Sequence, residues 1–170
     1  IILLSTALIG NIRIQDLQMM KNVVIPEGTE RIGNLWFRGS GIKRVEIPAS
    51  VREIGADAFY GCANLKSVVF AVESRLEKIG SGCFCMTKIE EISIPSNVAA
   101  MGSYAFCMCS NLKNVTFAPG SSLKTIEECS FSRAKIEKIV IPKSITEIQE
   151  SAFGNCAYLK EVVFEEGSEL

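Results

Sequence analysis

The stretch IPASVREIGADAFYGCANLKSVVF, Ile47–Phe70, decides the fold, because the chain writes it twice more. IPSNVAAMGSYAFCMCSNLKNVTF (Ile94–Phe117) and IPKSITEIQESAFGNCAYLKEVVF (Ile141–Phe164) align with it without gaps, at a period of 47 residues. Between the copies lie two units of a sister form, FAVESRLEKIGSGCFCMTKIEEISI (Phe70–Ile94) and FAPGSSLKTIEECSFSRAKIEKIVI (Phe117–Ile141). A shorter unit, IPEGTERIGNLWFRGSGIKRVEI (Ile25–Ile47), precedes them all. The corresponding residues Ile25, Ile47, Phe70, Ile94, Phe117, Ile141 and Phe164 are therefore spaced 22, 23, 24, 23, 24 and 23 apart. The two forms differ ahead of the central phenylalanine, which follows the first residue by 12 positions in the Pro form and by 14 in the sister form.

A period in the low twenties lies within the range of about 20–29 residues that leucine-rich repeats use. The apolar columns say why. Ile42-Val45-Ile47, Leu65-Val68-Phe70, Ile89-Ile92-Ile94, Leu112-Val115-Phe117, Ile136-Ile139-Ile141 and Leu159-Val162-Phe164 each write L-x-x-L-x-L, a short strand with its apolar side chains turned inward. A second set, Ile32, Ile54, Ile79, Met101, Ile126 and Ile148, stands five residues before Phe37, Phe59, Phe84, Phe106, Phe131 and Phe153. These phenylalanines are expected to stack from unit to unit. One unit cannot cover its own apolar walls, whereas stacked units bury them in one core. Abundant Ile and Val, with Gly33, Gly55, Gly80 and Gly102 at a turn, predict a strand-rich solenoid of about six repeats with little helix. The A-F-x-x-C segments are expected to form at most a helical turn each.

The 170 residues are 48% hydrophobic and carry 18 basic against 19 acidic side chains. Such balance supplies no electrostatic attraction for nucleic acid or an anionic membrane. The chain has no histidine, which excludes Ser/His/Asp and Cys/His catalytic pairs and His-ligated zinc or haem. Asp16 and Asp57 are its only aspartates, too few for an EF-hand loop. No carboxylate pair or activated nucleophile stands out, and Glu127 and Glu128 read as solvated turn residues, so no enzyme, no cofactor and no metal are expected. The opening run IILLSTALIG (Ile1–Gly10) is shorter than the ~20 residues a membrane span needs, so no membrane insertion is expected. Residues 1–24 read as a degenerate first repeat or cap, and 25–170 as the array. The closing FEEGSEL repeats FAPGSSL at Phe117–Leu123, so the array is expected to be a section of a longer solenoid with two stackable ends, open to end-to-end contacts.

Written as I-P-x-S-V-x-x-I-G-x-x-A-F-x-x-C-x-x-L-x-x-V-x-F, the columns resemble the BspA-type leucine-rich repeats, from about Val24 to the C-terminus. The resemblance implies a right-handed, horseshoe-like solenoid in a secreted or cell-surface, adhesin-like protein that binds another protein through its repeat surface. It transfers no catalytic residue and no particular partner. A structural spacer or intracellular scaffold is the alternative. Trp36 before Phe37, Met101 for isoleucine, and the sister units without Pro-x-Ser depart from the pattern locally.

The seven cysteines divide in two. Cys62, Cys109 and Cys156 share a column with Ser40, Thr87 and Ala134, a column of small side chains two repeats apart in its thiols and beyond disulfide reach. Cys83, Cys85, Cys107 and Cys129 are irregular. Packed free thiols are the leading reading, a Cys85–Cys107 disulfide between adjacent units the second, and metal the third, since C-x-C departs from the usual C-x₂₋₄-C of structural zinc.

The candidate binding surface is the outward face of the strands: Arg44, Glu46, Ser67, Val69, Glu91, Ser93, Asn114, Thr116, Lys138, Val140, Glu161 and Val163. Exposed residues on a rigid scaffold are where recognition usually sits. Beside them Lys43, Lys66, Glu90, Lys113, Glu137 and Lys160 alternate in sign from Lys66 onward, which favours stacking and denies a polyanion any single-sign stripe. Trp36, Tyr60, Tyr104 and Tyr158 are further candidate contacts, with Trp36 reading as a cap beside Phe37.

Overall fold

The computed structural model describes residues 2–3 and 18–170. Most of the degenerate repeat or cap expected over residues 1–24 lies outside the described residues. The strands run, in chain order, β1 Ile2–Leu3, β2 Asn22–Val24, β3 Arg31–Ile32, β4 Arg44–Ile47, β5 Glu53–Ile54, β6 Ser67–Phe70 and β7 Lys78–Ile79. They continue with β8 Glu91–Ile94, β9 Ala100–Met101, β10 Asn114–Phe117, β11 Thr125–Ile126, β12 Lys138–Ile141, β13 Glu147–Ile148 and β14 Glu161–Phe164. All pairing is parallel between equivalent positions of successive coils, such as Val45 with Val68 and Ile54 with Ile79. Only Gln18 and Met19 are helical among the described residues. The molecule is the strand-rich solenoid that the repeat predicts.

Each coil has three walls. On the strand wall the period of two turns Val45, Ile47, Ile92, Ile94, Ile139 and Ile141 into the core while the alternate residues face outward. On the second wall Ile32, Ile54, Ile79, Met101 and Ile126 are buried. The third wall is made by the phenylalanines. Phe37, Phe59, Phe84, Phe106, Phe131 and Phe153 stack with ring centres 5.1–5.5 Å apart and planes within 12° of parallel. The first five are fully buried.

The third wall is not helical. Two residues before each phenylalanine stand Leu35, Asp57, Gly82, Tyr104, Cys129 and Ser151, and two after it Gly39, Gly61, Met86, Met108, Arg133 and Asn155. All twelve have φ between 54° and 67°, left-handed backbone that costs a non-glycine residue about 1–2 kcal/mol. The conformation turns peptide groups along the solenoid axis. Phe37, Phe59, Phe84, Phe106 and Phe131 each donate an N–H to the next coil at 2.8–2.9 Å. Hydrogen bonds between coils thus replace those a helical turn would have made within one.

The strand wall is interrupted where the third wall is not. Its ladders join β1-β2-β4-β6, then β8-β10, then β12-β14. Both interruptions follow a strand ending on phenylalanine (Phe70, Phe117) and precede one ending on isoleucine (Ile94, Ile141), across the longer sister unit. The second wall breaks once, between β9 and β11. That break falls where the glycine column ends. A Cβ at Gly80 would sit 2.4 Å from the Ala56 nitrogen and one at Gly102 2.5 Å from the Ser81 nitrogen, whereas the next coils carry Glu127 and Gln149 there. The glycines serve close approach of neighbouring coils rather than a special backbone turn.

The last coil is open. Val162 and Phe164 are exposed, whereas Val45 and Ile47, Ile92 and Ile94, and Ile139 and Ile141 at the equivalent positions are buried, and Phe153, Leu159 and Cys156 are only half-buried.

Candidate functional site

The twelve outward residues of the strand wall lie on one face, ten of them exposed; Ser67 and Val163 are half-buried, against expectation. The backbone brings them into rows: Arg44 beside Ser67, Glu46 beside Val69, Glu91 beside Asn114, Ser93 beside Thr116, Lys138 beside Glu161, Val140 beside Val163. At the two ends of the face the polar groups use one another. Arg44 Nε donates to Glu46 Oε1 at 3.2 Å and its Nη1 to Ser67 Oγ at 3.3 Å. Lys138 Nζ donates to Glu161 Oε1 at 2.9 Å. These exposed pairs are worth at most about 1 kcal/mol each.

The centre differs. At the interruption between β6 and β8 the face sinks into a groove of about 540 Å³. Val69, Phe70 and Val72 form one bank, Glu91, Ser93 and Pro95 the floor, and Asn114 and Thr116 the other bank. Among the described residues the side chains of Glu91, Ser93, Asn114 and Thr116 make no hydrogen bond or ion pair within the chain. Five of the twelve sequence-selected residues therefore meet in a groove whose polar groups are open to a ligand. The bank residue Val72, fully exposed, escaped the strand pattern because it sits in the loop Ala71–Ser74. Its signal in the sequence is an apolar residue in the part of the sister unit that is two residues longer.

The alternating charge column behaves as expected where it pairs: Lys66 lies 3.7 Å from Glu90 and Lys160 3.3 Å from Glu137. Of the aromatic candidates, Trp36 is half-buried and lies over Gly33. Tyr60 is covered by the Arg38 guanidinium at 4.3 Å, and Tyr104 donates its hydroxyl to Glu128 Oε1 at 2.7 Å. These aromatic residues lie outside the strand face.

All seven cysteines are free thiols, Cys85 and Cys107 included. The column Cys62, Cys109, Cys156 does more than fill space. Each thiol donates to the carbonyl of the phenylalanine one coil before, Cys62 to Phe37 at 2.9 Å, Cys109 to Phe84 at 3.1 Å and Cys156 to Phe131 at 3.1 Å. Ser40 and Thr87 sit 3.2 Å from Cys62 and Cys109, so these members of the column bond as well as pack, while Ala134 only packs. Burial pushes the Cys85 thiol up to about 12 and that of Cys109 up to about 11, and holds Cys83 well above the ordinary range. Such thiols stay protonated and are poor nucleophiles. Among the described residues no three Cys, Asp or Glu side chains converge as a metal site, and no helix is long and apolar enough to cross a membrane.

Parallel strands repeating every 22–24 residues over a stacked phenylalanine wall define a leucine-rich repeat solenoid. A family profile described as BspA type leucine rich repeat region matches residues 8–118 and 77–169 in six copies, and the chain belongs to that family. Curated proteins yield no match. Among solved structures it is similar to the pneumococcal vaccine antigen PcpA, at 27% identity and a TM-score of 0.81, over 89% of this chain and 42% of that one. It is also similar to a leucine-rich repeat protein from Bacteroides ovatus, at 30% identity and a TM-score of 0.77, over 86% and 38% of the two chains. A leucine rich cell surface protein from Faecalibacterium prausnitzii matches at 26% identity and a TM-score of 0.62, over 87% and 48%. The chain spans less than half the length of each of these relatives. Leucine-rich repeat proteins of this kind are generally protein-interaction modules and typically not enzymes.

Proposed function

We propose that this array is a non-enzymatic protein-binding module of a secreted or cell-surface, adhesin-like protein, with residues 1–24 acting as a degenerate cap on the array 25–170. The observation that carries the reading is the groove between β6 and β8, where Glu91, Ser93, Asn114 and Thr116 have no side-chain partner among the described residues and lie beside exposed Val69 and Val72. Polar groups free to bond a partner, set beside exposed apolar side chains, suit a protein-recognition surface. Arg44, Glu46 and Ser67 on one side, and Lys138, Val140, Glu161 and Val163 on the other, flank it and set the register of the partner. Surface location is supported by a relative described as a cell surface protein and another described as a vaccine antigen.

The test is a binding screen of the displayed array against extracellular proteins, followed by the triple variant Val72→Asp/Glu91→Ala/Asn114→Ala. The expected result is binding reduced at least about tenfold, the loss of roughly 1.4 kcal/mol, with an unchanged thermal melt. A structural spacer would give no saturable binding, and binding untouched by the triple variant would move the site elsewhere.

A further inference from the structure

The charges on the outward face of the strand wall pair off, except one. Arg44 holds Glu46 at 3.2 Å and Lys138 holds Glu161 at 2.9 Å. Glu91 is exposed and is the one ionised side chain that lines the groove, and it pairs with no Lys or Arg among the described residues. Lys113, which stands one residue before the far bank, lines a separate hollow with Glu90, Asn111 and Lys135.

The groove changes character along its length. Glu91 stands beside Asn114 and Ser93 beside Thr116, so one end offers a carboxylate and an amide, and the middle two hydroxyls. At the other end Ala71, Val72, Pro95 and Ala118 are joined only by Ser74 and Ser96, and the lining becomes mainly apolar. From Glu91 to Pro95 is four residues, about 13 Å of extended backbone. Main-chain groups are open there too. β6 ends one ladder and β8 begins the next, and edge strands offer N–H and C=O groups to an incoming segment. In the intact ladders Ala71 and Ala118 donate their N–H to the Ile47 and Ile94 carbonyls at 3.0 and 2.9 Å. Pro95 holds the same position at the groove and has no N–H to give the Phe70 carbonyl.

We propose that the groove takes an extended segment of a partner protein carrying a basic and an apolar side chain four residues apart. This occupant rests on the protein-binding reading of the groove. The basic side chain pairs with Glu91 beside Asn114, and the apolar one lies against Val72 and Pro95. The residue midway between them faces the hydroxyls of Ser93 and Thr116. In an extended chain residues i, i+2 and i+4 share one face, and their span equals that from Glu91 to Pro95. A helix would place i and i+4 only about 6 Å apart along its axis, too close to reach both ends. An acidic segment would meet Glu91 with like charge.

The test is selection from a displayed library of random nonapeptides on the whole chain, with the thermal melt of each variant checked. The unsubstituted protein should enrich sequences with Lys or Arg and an apolar residue four apart, in either order. A synthetic peptide of that kind should bind at least about tenfold more tightly than one with the same two residues moved to a separation of two. Glu91→Gln should weaken it at least about fivefold. Glu91→Lys should make the selection return Asp or Glu in place of the basic residue, and Val72→Asp should remove the apolar preference. Glu147→Gln, on the second wall, should change neither. No enrichment, enrichment without the pattern, or a basic preference that survives Glu91→Lys would overturn this occupant. The protein-binding reading would still stand if the screen against extracellular proteins gave binding that the triple variant loses. Sedimentation should show a monomer; a dimer broken by Glu91→Lys would give the groove to a second copy of the chain and likewise overturn the proposal.

Discussion

The phenylalanine wall and the strand wall are built from the same repeats, yet they join the coils differently. Along the first, ring stacking at 5.1–5.5 Å and backbone hydrogen bonds of 2.8–2.9 Å pass from every coil to the next. Along the second, ladders stop between β6 and β8 and again between β10 and β12. Stacked aromatic pairs add about 0.5–1.5 kcal/mol beyond their buried area, so the phenylalanine wall acts as a spine. With coils held there, the strand wall can part locally, and where it parts first the groove lies. Cohesion thus runs along one side of the coil, and the proposed recognition groove lies on another.

The largest expected effect tests the spine. Phe106→Ala removes a fully buried ring between Phe84 and Phe131 and should cost about 3–5 kcal/mol in urea unfolding; a wild-type midpoint would refute a stacked core. Phe153→Ala, at the open end where the ring is half-buried, should cost clearly less. Next, Gly80→Ala places a Cβ 2.4 Å from the Ala56 nitrogen and should destabilise by about 1–3 kcal/mol, as overpacking does.

The buried thiols predict a pH limit. Their folded pKa is raised, by burial first, from 9.0 to about 12 at Cys85 and to about 11 at Cys109. The protonated form is favoured in the fold, so its stabilisation is complete below the unfolded pKa and is lost as pH rises through the folded value. Thermal melts should hold level up to about pH 8 and fall between about pH 9 and 12, with a shallower fall in Cys109→Ser. The smallest effect is a gain. Met108 is at φ 58° and exposed, so Met108→Gly relieves about 1–2 kcal/mol of backbone strain against about 0.5–1 kcal/mol of glycine entropy. The expected gain is about 0.5–1 kcal/mol.

Much of this was legible in the residues. The repeat columns give the parallel strands, their inward and outward faces and the phenylalanine stack, since burial acts on side chains the sequence names. The twelve-residue face was legible for the same reason. The left-handed backbone of the third wall was not, because Leu35, Tyr104 and Met108 carry no signature of positive φ; hydrogen bonds between coils impose it. The role of the glycines in close approach, and the break where Glu127 replaces them, depend on distances between coils that no single repeat encodes. Val72 and the groove follow from a ladder interruption, again a relation between neighbours. The hydrogen bonds of Cys62, Cys109 and Cys156 were hidden because a column of Ser, Thr, Ala and Cys reads by size before it reads by donor.

Amide hydrogen exchange on the native chain tests the contrast between the two walls most directly. The amides of Phe59, Phe84, Phe106 and Phe131 should be uniformly protected. On the strand wall those of Ser93 and Val140, which face the interruptions, should exchange at least about tenfold faster than those of Val69 and Thr116 in the intact ladders, as local opening energies differ. Equal protection of Ser93, Val140, Val69 and Thr116, or fast exchange along the phenylalanine wall, would contradict a continuous spine behind a divided recognition face.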